Sequence, residues 1–295
     1  ALRDSVAPAA LVRAGEADVI VVDAAGFVLL DEAGARRTDT PVLRRLRGDE
    51  AARGLEGATA SFIGVAGGRS VVAIETSRDE VRGHWEHLRA VGWCLDGDDA
   101  ALALTALALA GWHANYRYCP RCGAQVQLVS GGWAARCETC DRLEYPRQDP
   151  AIIVLVQDHD GRVLLAHNAL WQPGFVSIIA GYVEAGESPD VTVAREVAEE
   201  VGVDIETPTY VATQPWPFGR SQMMGYRART LEAHPTPQAD GVEIEWARFY
   251  SREELTRALE SGEISAPGRA SIAYALLREW YGADLPSGPE GAGRK

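Results

Sequence analysis

Two cysteine pairs constrain this chain more than any other feature. They are Cys119-Pro-Arg-Cys122 and Cys137-Glu-Thr-Cys140, with fourteen residues between them. Two C-x-x-C knuckles at this separation place four thiolates around one tetrahedral zinc ion, and a closed four-sulfur site leaves no open position for catalysis. Gly123, directly after the first pair, permits the tight backbone of a knuckle. The segment is too short for a core of its own, so a structural zinc is expected to support its folding. The alternative is a pair of disulfides or redox-active thiols, which an intracellular setting disfavours. The fifth cysteine, Cys94, stands alone and reads as a small buried residue rather than a nucleophile.

At 295 residues the chain has room for about two domains. Its 29 basic and 42 acidic residues leave a net charge of −13. That argues against bulk, sequence-independent binding to duplex nucleic acid, which relies on many cations meeting phosphates. The only lysine is Lys295. A phosphate-binding loop of the G-x-x-x-x-G-K-[ST] type and an internal Schiff-base lysine are therefore excluded. The longest apolar run, Ala101 to Ala110, falls short of the roughly 20 residues that span a bilayer and reads as a buried helix. With no secretory pattern at the start, the expected compartment is the cytoplasm.

Residues 1–115 form a first module. Apolar, β-branched runs at 18–22, 26–30, 60–65 and 70–74 predict strands, with Gly67-Gly68 as a turn, and an alanine- and leucine-rich helix is expected from about 99 to 112. Glu80, His84 and His87 lack a fourth metal partner and read as a solvated helix face. Residues 116–146 carry the cysteines. Residues 147–285 form a third segment that opens with two strands, 152–156 and 162–166, joined through Asp160-Gly161. The glycine- and proline-rich end, 286–295, is expected to be a disordered tail.

The chemistry concentrates between Gly181 and Val203. Ser188 suits an N-cap, Pro189 the first helical position and Gly202 the position just past the end, so a helix is expected over 189–201. Val191, Ala194, Ala198 and Val201 give it an apolar face at three- and four-residue steps. Glu196, Glu199 and Glu200, at i, i+3 and i+4, project from a neighbouring stripe and repel one another. Hard divalent cations with oxygen ligands remove that repulsion. Glu187 precedes the helix, and the planar fork of Arg195 is suited to hold a carboxylate. Taken alone, the three glutamates read rather as a solvated acidic helix.

The whole stretch resembles the Nudix box, G-x5-E-x7-R-E-U-x-E-E-x-G-U, at every fixed position, with Val197 and Val203 as the apolar residues U. Downstream, Thr213 to Ser221 resembles S-Q-P-W-P-F-P-x-S, the marker of the NADH pyrophosphatase, or NudC-type, branch. Thr213 stands in place of serine and Gly219 in place of proline. A zinc ribbon just before the box is this branch's layout, so the resemblance covers roughly residues 85–285. It implies an α/β (α+β) fold: a Nudix α/β/α sandwich with a mixed sheet, preceded by the ribbon and by a β-rich, degenerate Nudix-like domain. It implies hydrolysis of the pyrophosphate bond of NAD(H) to nicotinamide mononucleotide and AMP with Mg²⁺ or Mn²⁺.

By the same resemblance Glu196 and Glu200 are expected as metal ligands, Glu199 as a ligand or base, and the carbonyl of Ala180 as a further ligand. Glu243 is the candidate late acidic ligand, with Glu245 as fallback. Tyr145 and Tyr182 are expected to stack on the dinucleotide. Gln214, Pro215, Trp216, Pro217, Phe218, Gly219, Arg220 and Ser221 are expected to line its nucleotide side, with Arg89 and Ala273 as further contacts. A ribbon position that holds a substrate-contacting glutamate in the branch is Gly132 here. A homodimer is implied. Two alternatives stand beside the free dinucleotide: removal of NAD caps from RNA 5′ ends by the same site, guided by arginines such as Arg142 and Arg147, and a non-catalytic nucleotide sensor.

Overall fold

The computed structural model describes residues 3–31 and 40–288. These fall into two compact units, one drawn from Ala1–Gln148 with Trp216–Arg220, the other from Asp149–Pro215 and Ser221–Lys295.

The first unit holds a five-stranded sheet of β1 (Ala17–Asp23), β2 (Phe27–Leu30), β3 (Thr59–Ala66), β4 (Arg69–Glu75) and β5 (His84–His87), in the order β3-β4-β1-β2-β5. β1 runs parallel to β4, and the other pairs are antiparallel. Gly67 and Gly68, at φ +57° and +77°, turn β3 into β4. Six consecutive residues of β1 are buried because its alternate side chains feed two cores. Ile20 and Val22 pack with Ala103, Ala106, Leu107 and Ala110, while Val19 and Val21 pack with Val12 and Ala51. Burying each valine, leucine or isoleucine among them stabilises by about 1.5–3 kcal/mol. The covering helices are α1 (Pro8–Arg13), α2 (Gly48–Gly54) and the longer α4 (Gly97–Asn115), with a single turn, α3 (Leu88–Val91), between. Asp96 caps α4 by accepting from Asp99 N. Residues 80, 84 and 87 are not a helix face: His84–His87 is an edge strand, because its alternation pairs with β2 from Phe27↔His87 to Leu30↔His84.

The cysteine segment forms β6 (Val126–Val129), β7 (Ala134–Cys137) and β8 (Leu143–Glu144). Its β6–β7 turn is fastened to the first sheet. Trp133 Nε1 donates to Phe62 O at 2.7 Å, His113 Nε2 bonds Gly132 O at 2.8 Å, and Arg3 lies 3.4 Å from the Trp133 ring centre.

In the second unit, β9 (Asp149–Gln157), β10 (Val163–Asn168), β11 (Ile179–Tyr182), β12 (Thr209–Trp216), β13 (Ser221–Arg229) and β14 (Ile244–Tyr250) order as β12-β13-β9-β10-β14, with β11 also on β9. β9 runs parallel to β13. Strand for strand this is the order of the first sheet, down to the one parallel pair. Ile152, Val154 and Val156 pack against α5 (Pro189–Val201). Ile153 and Leu155 face α6 (Arg252–Ser261) and α7 (Ile272–Tyr281). The architecture is the mixed α/β sandwich expected, with a β-rich N-terminal portion. In the β9–β10 turn, fully buried Asp158 accepts from Asp160 N and Arg162 N. The expected tail lies outside the described residues except for 286–288. Among the described residues no helix is long and apolar enough to cross a membrane.

A Cβ at Gly132, where φ is +93°, would sit 2.4 Å from Ser61 Oγ. Gly132→Ala is therefore expected to destabilise by about 1–3 kcal/mol. Gly111, inside α4, has open space around it, so Gly111→Ala should stabilise by up to about 1 kcal/mol. Denaturant midpoints of the two variants, moving in opposite directions, are the check.

Candidate active site and metal centres

The head of α5 is built as its end signals direct. Pro189 opens it and Gly202 closes it in the left-handed region at φ +63°. Ser188 is the N-cap by position, but its side chain makes no cap bond; its carbonyl accepts from Thr192 N and Oγ1. The buried face differs from the expected one. It consists of Thr192, Val193, Val197, Glu200 and Val201, whereas Val191 is 53% exposed and Ala194 and Ala198 face outward. Val193, Val197 and Val201 bury more apolar area than two alanines do, and that choice carries Glu200 inward with them.

Arg195 organises the carboxylates. Its Nε and Nη2 donate to the two oxygens of Glu187 at 2.8 and 3.0 Å. Nη1 reaches Glu196 at 3.0 Å and Glu199 at 2.9 Å, and Nη2 also donates to Tyr182 O. The Arg195 fork holds the Glu187 carboxyl down at about 2, helped by the Thr192 hydroxyl at 2.7 Å. Glu187 is thus a strut for the loop. Glu196 lies against β11 where Gly181 has no side chain: a Cβ there would fall 2.0 Å from the carboxylate.

Glu200 is 5% exposed, and no hydrogen bond or ion pair to its carboxyl occurs among the described residues. Burial pushes it up to about 8, and the charges of Glu243, Glu196, Asp240 and Glu199 add to the shift. Glu196 is raised as well, mainly by burial. A buried acid ringed by four others lacks a counter-charge, and hard oxygen donors of this kind fit Mg²⁺ or Mn²⁺. No three of these carboxylates come within the 4.8 Å that gathers the cysteine sulfurs. Of the two late candidates, Glu243 is the one whose charge reaches Glu200 and Glu196, while Glu245 lies 3.6 Å from His167. Ala180 pairs with Ile153 on β11, beside Gly181.

The expected substrate contacts separate into open and occupied groups. Tyr145 and Tyr182 are 60% and 54% exposed, so both rings are open to a ligand. Tyr182 OH is tied to Ser221 Oγ at 3.1 Å. Gln214 uses both ends of its amide at the start of α7, donating to Ala270 O and accepting from Ile272 N. Ala273 is buried in the core. Pro215, Gly219 and Arg220 are exposed; Trp216, Pro217 and Phe218 are partly covered. Arg89 lies over Phe218 and Trp216. Arg142 and Arg147 both bind the buried Glu144.

The four cysteine sulfurs converge to within 4.8 Å of one another. Sγ separations are 3.7 Å for Cys119–Cys140, 3.5 Å for Cys122–Cys137 and 3.7 Å for Cys122–Cys140. A tetrahedral site with Zn–S of about 2.3 Å spaces its sulfurs at about 3.8 Å. No disulfide is present among them. The Cys140 amide donates to Cys137 Sγ and holds that thiol down at about 6, towards the thiolate a metal needs. Cys94 is half-buried, its thiol donating to Val91 O and pushed up by burial.

The comparisons with known proteins agree with this chemistry. The NUDIX domain family matches residues 147–272, and the NADH pyrophosphatase zinc ribbon domain family matches residues 114–145. The NAD-capped RNA hydrolase NudC of Mycobacterium bovis is 36% identical over 235 residues, 75% of this chain and 75% of its own. The chain belongs to the NudC-type Nudix hydrolases. A NudC of Stutzerimonas stutzeri is 38% identical over 217 residues, 74% of each chain. The mouse mitochondrial NAD(P)H pyrophosphatase NUDT13 is 34% identical over 213 residues, 68% of this chain and 60% of its own. As a NudC-type Nudix hydrolase the chain is an enzyme that carries a structural zinc and uses Mg²⁺ or Mn²⁺.

Two residues beside this NudC-type site escaped the sequence reading. Asp240 Oδ1 accepts from the amides of Val242, Glu243 and Ile244 and so shapes the loop that presents Glu243. Asn168 Nδ2 donates to Glu243 Oε1 at 3.3 Å. Asp240-Gly241 ahead of a strand is a turn signal that marks the first; nothing local marks the second.

Glu200 stays neutral when folded over a range where the unfolded chain ionises. Its contribution to stability is complete below about pH 4.5 and is lost as pH rises through about 8. In chelator, Glu200→Gln should flatten that part of the melting profile, and added Mg²⁺ should raise the wild-type melting temperature most near pH 8; melting curves of both proteins across this range are the check. Stripping zinc should lower the melting temperature even with Mg²⁺ present, and an unchanged curve would remove the structural role.

Proposed function

We propose that this enzyme hydrolyses the pyrophosphate bond of NAD(H), releasing nicotinamide mononucleotide and AMP. The observation that carries the proposal is Glu200, a buried carboxyl crowded by Glu243, Glu196, Asp240 and Glu199, in a chain similar to proteins named NAD-capped RNA hydrolase and NAD(P)H pyrophosphatase.

In this reading Glu196, Glu200, Glu243 and the Ala180 carbonyl hold the divalent ions. When bound, Mg²⁺ or Mn²⁺ neutralises phosphate charge and lowers the pKa of water. Glu199, with its side chain 63% exposed, accepts the proton of the attacking water at a carboxylate oxygen; a place as a further ligand is its other role. Arg195 and Glu187 fix the loop so that these donors are set before substrate arrives. Water adds at one phosphorus, the bridging P–O bond breaks, and the other phosphate leaves with the bridging oxygen. Tyr145 and Tyr182 offer flat faces to the heterocycles, worth about 1–3 kcal/mol each, and Trp216 lines the nucleotide side with Arg89. A homodimer in the cytoplasm completes the reading.

Removal of NAD caps from RNA is the second reading, favoured by the named activity of the 36%-identical relative. The net charge of −13 and the pairing of Arg142 and Arg147 with Glu144 favour the free dinucleotide as the better substrate.

The test is turnover of NADH and of NAD-capped RNA side by side, each with Mg²⁺ and with Mn²⁺. Glu200→Gln should fold and lose at least about a hundredfold in kcat on both substrates. Normal turnover by that variant would refute the metal assignment, and no turnover of NADH by the wild type would refute the substrate.

A further inference from the structure

We propose that His87 is a positioning residue for substrate binding: it grips Phe218 and so sets the pose of Trp216 in the 213–221 loop. The inference rests on the NAD(H) reading for the identity of the ligand.

The loop is held at three places. At its roots, Gln214 bonds Ala270 O and Ile272 N, and Ser221 bonds Tyr182 OH. Its tip, Trp216–Arg220, belongs with the unit that contains His87 rather than with the strands it connects. There the Phe218 ring stacks on the His87 imidazole, with centres 5.0 Å apart and planes at 28°. Phe27 meets the same imidazole edge-on at 5.0 Å and 83°. His87 Nδ1 accepts from Arg89 N at 3.2 Å, which fixes the ring in plane as well.

The seat is shaped for this contact. Gly26 has φ +103°, and a Cβ there would fall 2.5 Å from His87 Nε2 and 3.1 Å from Phe218 Cδ1. Only a residue without a side chain leaves room for both rings. The Arg89 guanidinium carbon lies 4.6 Å from the Phe218 ring centre, and Trp216 meets Phe218 edge to face at 4.9 Å and 77°. Phe218 is therefore engaged by His87, Arg89 and Trp216 together. It serves as an anchor, and Trp216 is the ring it orients towards a flat heterocycle.

Loss of the grip frees the tip without touching the carboxylates of α5. Freed binding elements weaken ground-state and transition-state binding alike, so KM rises while kcat holds. His87→Ala should raise KM for NADH about three- to tenfold, the range expected of one aromatic pair, with kcat changed less than about twofold. His87→Phe, which keeps a flat ring, should restore KM, and His87→Leu should not. Phe218→Leu should repeat the His87→Ala result, and the double variant should be no worse than either single one. Melting temperatures of all variants separate a folding defect from a binding defect. An unchanged KM in His87→Ala, an equal fall in kcat, or additive effects in the double variant would overturn the proposal. If the wild type turns over no NADH, the substrate reading fails instead, and the two failures are distinct.

Discussion

The structure of the site depends on one arginine. Arg195 sits among Glu187, Glu196 and Glu199 and satisfies all three, while its reach to Tyr182 O ties the helix to β11. Four acids, three in the last turns of one helix and one in the loop before it, repel each other. A guanidinium that is charged at every accessible pH offsets that repulsion before any cation arrives. Glu200 alone is left outside its reach and buried, and so it is the acid that most requires a divalent ion. The division is physical: the arginine satisfies Glu187, Glu196 and Glu199, and the acid in the core is left without a counter-charge.

Much of this was legible in the sequence because the signals are local. The ends of α5 follow from Pro189 and Gly202, and the zinc knuckles from cysteine spacing. The inward face of α5 was not legible. Two apolar stripes share Val201; the three- and four-residue steps pick out Val191, Ala194 and Ala198, whereas packing against β9 selects Val193 and Val197. Residues 80–87 misled for a related reason. A short run of Glu and His has no period of its own, and only pairing with β2 makes His84–His87 a strand. Asn168 at Glu243, and His87 at Phe218, are long-range contacts that no local pattern announces.

The resemblance marked the 213–221 loop as a binding segment without ranking its residues. The structure distinguishes them by what they already touch. Gln214 is committed to α7 and Ala273 to the core, whereas Tyr145 and Tyr182 stand open. A motif records which residues occur together; contacts separate those that face a ligand from those that hold the frame.

The two sheets share one strand order, and the likeness extends to isolated bridges: Val19↔Leu46 and Leu30↔Leu43 occupy places that β11 on β9 and Ala166↔Ser177 fill in the second unit. In the first unit the helix at the corresponding point is the seven-residue α2, with only Asp49 and Glu50 as acids. Architecture and reactivity are therefore separable in this molecule. The same strand order is present twice, whereas Glu187, Glu196, Glu199, Glu200 and Glu243 all belong to the second unit, so the order of the strands does not by itself specify the acidic site.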